Sequence, residues 1–249
     1  MIEEHKEFYS FLKGDFGKEI VDEYNSVVKS KYRDNFELKV LTFQDNVVKG
    51  SSDYAIFLMN DIIAKYGLRT VNPANTQKII DINEDFLKGF YVDLGIVLRN
   101  ENETNEYLAR QNEYLARQLA NQAKDRNYKF SNSNPLVFKP SDLELTLDNN
   151  SFSGLGFKIK DSAIPFNAPE LSYENNSKKF NKTNENGVPI FDINGNRPNN
   201  TMDIIENGLS RFSLYTDLGL DSWNDDFYGS REIGRIVLVN DTLSGAPKI

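Results

Sequence analysis

The chain has 249 residues, no cysteine and 37 acidic against 29 basic side chains, a formal net charge of −8. That length can bury a substantial core, as one large domain or two small ones. The acidic balance argues against a general affinity for nucleic acid, and without cysteine there is no disulfide, thiol nucleophile or cysteine-ligated zinc. The N-terminal stretch MIEEHKEFYSFLKGDF is charged throughout, so no secretory leader is expected. No window approaches the roughly 18 consecutive apolar residues of a membrane span.

Taken in order, residues 2–12 carry apolar or aromatic side chains at helical spacing, a stripe that Gly14 ends. Asp15 is placed to cap a second helix with Ile20, Val21, Tyr24, Val27, Val28 and Tyr32 facing inward. FELKVLTF (36–43) alternates and predicts a strand, closed by the turn signal Asp45-Asn46. Ser52 or Asp53 caps a third, largely apolar helix that stops at Gly67. Asn72-Pro73 breaks the chain and starts a short helix or turn.

Asn83 then reads as the cap of one long central helix over 84–126. Inside it NEYLARQ is written twice in tandem (105–118), two helical turns per copy. Such a rod reaches roughly 60 Å, longer than a small domain, so one end is expected to project or to meet other chains. Leu94, Leu98, Leu108, Leu115 and Leu119 fall on one seam shared with Asn105 and Asn112, and a seam asparagine fixes register and oligomer number. The bland alternative is a solvated helix whose polar half happens to repeat. The expected subunit interface is Leu108, Asn112, Leu115 and Leu119, joined by Trp223 and Phe227 from the aromatic tail.

The character changes after Arg126, and a boundary near 127–140 divides a mainly helical body (1–130) from an extended arm and small β-rich region (131–249). LELTL (143–147), a turn at 148–150 and a return strand at 157–159 predict a hairpin. The stretch 161–200 is rich in asparagine and proline and poor in aliphatic residues. It reads as a long loop, or an arm that orders on a partner. MDIIENGL predicts a helical turn ended by Gly208, and RIVLV (235–239) a buried strand. The fold class is therefore α+β.

Few residues point to chemistry. The single histidine, His5, leaves no multi-histidine metal site, and no phosphate-binding glycine loop is present. Glu37 and Lys39, with Asp34 beside them, echo the E-x-K strand of magnesium nucleases, with Asp22 or Asp15 as the separate acid. Asp192, Asn194 and Asn196 begin like a calcium loop, with Asn200 and Asp203 at later ligand spacings, yet Arg197 stands where the sharp-turn glycine belongs and Asp203 replaces the bidentate glutamate. Asp217, Asp221, Asp225 and Asp226, interleaved with Trp223, Phe227 and Tyr228, suit a sugar, a cation or plain capping. No catalytic residue, cofactor or metal is assigned.

The N-terminal helical region, the NEYLARQNEYLARQ rod and the Asn/Pro arm together resemble, in layout, bacteriophage virion components. These are the podovirus head–tail adaptors and tail ring proteins, including those of crAss-like phages. The resemblance implies a non-enzymatic subunit of a ring, contacting copies of itself and neighbouring virion proteins in a particle assembled in the bacterial cytoplasm. It implies neither membrane insertion nor sequence-specific nucleic-acid binding. The alternatives are a phage-encoded acidic module that inhibits or regulates a host protein, and the metal-dependent nuclease.

Overall fold

The computed structural model describes residues 8–102, 109–191, 200–223, 227 and 229–240. The first part of the chain gives β1 (Tyr9–Phe11), α1 (Gly14–Lys31), β2 (Thr42–Gln44), β3 (Val47–Ser51), α2 (Asp53–Ile63), β4 (Arg69–Thr70), α3 (Pro73–Ile82) and β5 (Val92–Leu98). The middle gives α4 (Ala109–Asp125), β6 (Leu136–Phe138), β7 (Leu143–Leu147), β8 (Leu155–Ile159), β9 (Phe166–Asn167) and β10 (Lys178–Phe180). The last part is β11 (Asn200–Ile204), β12 (Leu209–Leu214), β13 (Leu220–Ser222), β14 (Ser230–Arg235) and β15 (Val237–Val239). The class is α+β.

A seven-stranded sheet in the order β10-β11-β13-β12-β5-β6-β9 divides the interior. One face carries Ile96, Leu98, Leu136, Phe138 and Leu209 into a core shared with α1, α2, α4 and the β7–β8 hairpin. The other carries Val92, Leu94, Val97, Phe212 and Leu220 into a second core with Ile79 of α3 and Val237 and Val239 of β15. Smaller sheets, β1-β15-β4 and β14-β3-β2, join the N-terminal elements to the chain's last described strands. β6 lies within the boundary expected near 127–140, and it is a hydrogen-bonded neighbour of β5.

The helices with clear caps form where the sequence placed them. Ser52 accepts from the Ala55 amide at the start of α2, and Gly67 takes a left-handed conformation after its last turn. Asn72 and Asn75 close a reciprocal capping box on α3, with Pro73 in the first turn. The β7–β8 hairpin and the strand within RIVLV are also present.

Four expectations are corrected. The long helix over 84–126 does not exist: β5 occupies 92–98, and only α4 is helical among its later described residues. All seven residues of β5 are buried. A strand covered on both faces loses the polar alternation that marks half-buried strands, so its apolar run imitates a core helix. A bulge at the β5–β12 register shift, with Gly95 at φ +148°, also puts Leu94 and Leu98 in different cores. The predicted N-terminal helix gives way, in its described part, to β1. Within 36–43 the first residues form a 3-10 turn, Phe36–Leu38, capped by Asn35, and the strand begins only at Thr42. MDIIENGL spans β11, the turn after it and the first residue of β12, because β13 supplies a parallel partner that the isolated octapeptide cannot reveal.

The described part of the expected arm lies on its own chain. Ala168, Leu171, Phe180 and Val188 are buried in the second core. A tight turn over 182–190 closes through Ile190 N–H to Lys182 O and Asn184 N–H to Val188 O. Its Thr183 amide and hydroxyl donate to Gln77 of α3 at 3.3 and 3.2 Å. Gly187 stands at φ +77° where an added Cβ would overlap the Pro73 carbonyl, so turn and helix touch backbone to backbone. Gly187→Ala should therefore cost roughly 1–3 kcal/mol and lift this turn off α3. Limited proteolysis should then cut within 161–191 faster than in the parent. Equal cutting rates would mean that the turn is not seated on α3.

Candidate functional site

The interface expected on α4 is spent internally. Leu115 and Leu119 are 1% and 0% exposed, and with Ala116, Ala120 and Ala123 they form the helix stripe that packs into the first core. Leu108 and the side chain of Asn112 lie outside the described residues. Phe227 is 5% exposed and packs against Tyr54 and Phe157. These leucines and Phe227 are corrected to core positions. Among the described residues of that set, Trp223 alone reaches solvent, at 60% exposure.

The polar side of α4 is also occupied. Gln118 accepts from Phe157 N–H at 3.3 Å, while Gln122 accepts from Ile159 N–H at 2.9 Å and donates to Phe157 O at 2.7 Å. Arg126 donates to the Ile159 and Lys160 carbonyls. β8 belongs to a two-stranded sheet, so its outer edge would otherwise present unpaired backbone groups. A glutamine amide carries both donor and acceptor and therefore imitates the missing strand.

On the first-core face of the large sheet, cross-strand register lines up Asp203, Asp221, Ser213 and Asp93 across β11, β13, β12 and β5. Register partners share a face, so these side chains form one transverse polar row. Its inner end is closed. Arg211 Nη2 lies 2.7 Å from Asp93 Oδ1, and its Nε lies 2.9 Å from Asp53 Oδ2 at the start of α2. Ser51 donates to the other Asp93 oxygen at 2.5 Å, and the Tyr91 ring lies 4.9 Å from the guanidinium. Burial opposes the charge on Arg211, but Asp93, Tyr91 and Asp53 outweigh it and hold the guanidinium well above its ordinary value.

The outer end of the row is open. A cleft of about 330 Å³ is lined by Asn176, Ser177, Asp203, Tyr215, Asp221 and Trp223. Asp221 is buried and accepts from the Trp223 amide at 2.5 Å, which fixes its carboxylate, whereas Asp203 is exposed. Asn176 is oriented through its Oδ1, which accepts from Ile204 N–H at 2.9 Å. Tyr215 and Trp223 contribute exposed rings. Asp217 belongs to a turn, where it accepts from Gly219 N–H, while Asp225, Asp226 and Tyr228 lie outside the described residues. The sequence showed the acid–aromatic clustering but set Asp203 in the calcium-like loop, and only the parallel β11–β13 pairing brings it beside Asp221.

A second exposed feature joins distant segments. Phe36 and Phe152 are 69% and 68% exposed, and Leu147 at the end of β7 is also exposed. The amide of Asn35 donates to Ser153 O at 2.7 Å, and Ser153 Oγ sits 3.0 Å from the Tyr54 hydroxyl. The backbone beside each phenylalanine is thus tied to a helix or a hairpin.

The remaining candidates stay apart. Glu37 sits on the 3-10 turn and Lys39 pairs with Asp34 at 2.6 Å, so the E-x-K strand is not formed. No group of three His, Cys, Asp or Glu side chains is placed to hold a metal among the described residues, and Asp15 and Asp22 lie on α1. His5, Asp192, Asn194 and Asn196 lie outside the described residues.

Two substitutions separate core from surface. Leu119→Ala should lower unfolding stability by about 2–5 kcal/mol, measured in urea, as befits a buried leucine and not a rim contact. Asp93→Asn should cost about 3–5 kcal/mol, because it leaves Arg211 short of a charge partner; a change under 1 kcal/mol would mean that Asp53 alone suffices. No protein-family model matches this chain, and neither a curated protein nor a solved structure is similar to it.

Proposed function

We propose that the chain is a non-enzymatic structural subunit of a symmetric assembly, a bacteriophage head–tail connector or tail-ring component that contacts copies of itself and neighbouring virion proteins. The observation supporting this reading is the aromatic patch, not the α4 face. Burying a phenylalanine is worth about 1.5–3 kcal/mol, and Phe36 and Phe152 both forgo most of that in the isolated chain. The Asn35 side chain donates to the Ser153 carbonyl, which ties together the segments carrying the two rings, and both rings lack cover. A partner surface provides it. An aromatic side chain has only two rotatable bonds to order on docking, which suits a contact made many times around a ring.

The alternative, an acidic module acting on a host protein, draws on the cleft between β11 and β13 and on the net charge of −8. It needs no self-association. Size exclusion coupled to light scattering over a wide concentration range distinguishes the two. The assembly reading expects a discrete multiple of 28.5 kDa, or a mass that rises with concentration. It also expects Phe36→Asp with Phe152→Asp to return the protein to 28.5 kDa while its melting temperature stays within a few degrees. A monomer at every concentration, or an oligomer indifferent to the double substitution, would remove the patch as a self-contact.

A further inference from the structure

Asparagine followed by glycine is a chemically reactive pair, because no side chain on the glycine hinders its nitrogen from reaching the asparagine Cγ. The chain carries three such pairs, Asn186-Gly187, Asn194-Gly195 and Asn207-Gly208, and the middle one lies outside the described residues. The other two share the sequence Glu-Asn-Gly but differ in what holds them. The Gly187 amide donates to the Asn184 main-chain carbonyl at 2.9 Å, a bond that does nothing for the Asn186 side chain. Gly187 is also pressed against the Pro73 carbonyl, so that turn has little room to bend toward ring closure.

At Asn207-Gly208 one carboxamide holds both reacting groups. Asn100, just past the end of β5, donates through Nδ2 to Asn207 Oδ1 at 3.0 Å, and its own Oδ1 accepts from Gly208 N–H, also at 3.0 Å. Asn132 donates to the same Asn207 oxygen at 2.6 Å. Two N–H donors therefore point at the oxygen on which negative charge grows when a nucleophile adds to Cγ. The hydrogen that the nucleophile must shed points at an acceptor on the same side chain that supplies one of those donors. Asn207 is half-buried, so water has access to it.

We propose that Asn207 is a self-modifying residue, which closes to a succinimide with Gly208 and opens to aspartate or isoaspartate, with Asn100 and Asn132 as positioning residues. The Gly208 nitrogen bonds to Asn207 Cγ, the Cγ–Nδ2 bond breaks, and ammonia leaves with the hydrogen given up by Gly208 N–H. Water then adds to either ring carbonyl and opens the imide. Because the nitrogen must lose its proton before it attacks, the conversion quickens as pH rises. The place matters for the fold: Gly208 O accepts from Arg99 N–H at 2.9 Å, and Leu209 begins β12 opposite Leu98. Isoaspartate routes the main chain through the side-chain methylene and so lengthens it by a carbon at this join, which loosens the end of the β5–β12 ladder. The chemistry needs no partner and does not rest on the assembly reading.

The full chain is incubated at neutral and at mildly alkaline pH, and the peptides containing Asn186 and Asn207 are followed by mass and by enzymatic methylation of isoaspartate. The same chain in urea gives the rate of each pair without the fold. In urea the two pairs should convert at similar rates. In the folded protein Asn186 should slow and Asn207 should lead it by about tenfold. Asn132→Ala removes an exposed donor and should slow Asn207 about tenfold, with the Asn186 rate and the melting temperature unchanged. Asn132→Asp, which keeps the shape without the donor, should do the same. An Asn207 that converts no faster than Asn186 in the folded protein, or a rate at Asn207 indifferent to both Asn132 substitutions, would overturn the proposal.

Discussion

Arg211 is the charge around which the two halves of the molecule meet. Its guanidinium stands between Asp53, the first residue of α2, and Asp93 on β5, and all three side chains are buried. Taking a guanidinium and two carboxylates out of water is expensive, and only close pairing on two sides offsets it. The geometry leaves little freedom. β12 must pair with β5 in its bulged register to bring Arg211 over Asp93, and α2 must begin where Ser52 caps it to bring Asp53 within reach. An anion in the first turn of a helix is also favoured by the peptide dipoles. Helix start, strand register and charge pairing therefore constrain one another.

Arg99 makes the matching connection on the opposite face with different chemistry. It donates to the hydroxyls of Ser210 and Ser222 and to the Leu171 carbonyl. Leu171 belongs to the segment expected to be a free arm, so this guanidinium fastens that segment to the sheet. The reason the arm misled is compositional. Asparagine and proline are scarce in cores, but here asparagine side chains serve backbone groups: Asn184 accepts from the amides of Asn186 and Val188, and Asn167 donates to the carbonyls of Lys129 and Asn134. Polar composition signals disorder only when nothing satisfies the backbone, and a single sequence does not show that accounting.

What was legible followed local chemistry. Ser52, Asn72, Pro73 and Gly67 set helix ends within a few residues, and LELTL alternates because only one face of β7 is covered. What was illegible depended on partners far along the chain. β5 looked helical because the sheet covers it on both faces, and β11 looked helical because its pairing with β13 is not local. The NEYLARQ repeat is the sharpest case. Its asparagines and leucines were read as an oligomer seam, yet Leu115 packs in the chain's own core and Gln118, beside that seam, completes the edge of β8. A repeat in sequence fixes the spacing of side chains on a helix but not what lies opposite them.

The transverse row from Asp93 to Asp203 explains why the candidate site sits where it does. All along it the face of the sheet is the same, but cover from the rest of the chain runs out. Asp93 lies under α2 and is neutralised by Arg211; Asp221 is buried at the cleft wall, supported by a backbone amide and by Arg99 across the sheet; Asp203 faces water. The desolvation cost of a carboxylate rises with burial, so a folded chain compensates the deep ones itself and leaves the shallow ones to solvent or to a ligand. Function is possible only at the shallow end, because a group already paired inside has no interaction left to offer. There the exposed Trp223 lies beside the buried Asp221 and the exposed Asp203, and that meeting of ring and carboxylates sets what the cleft can hold.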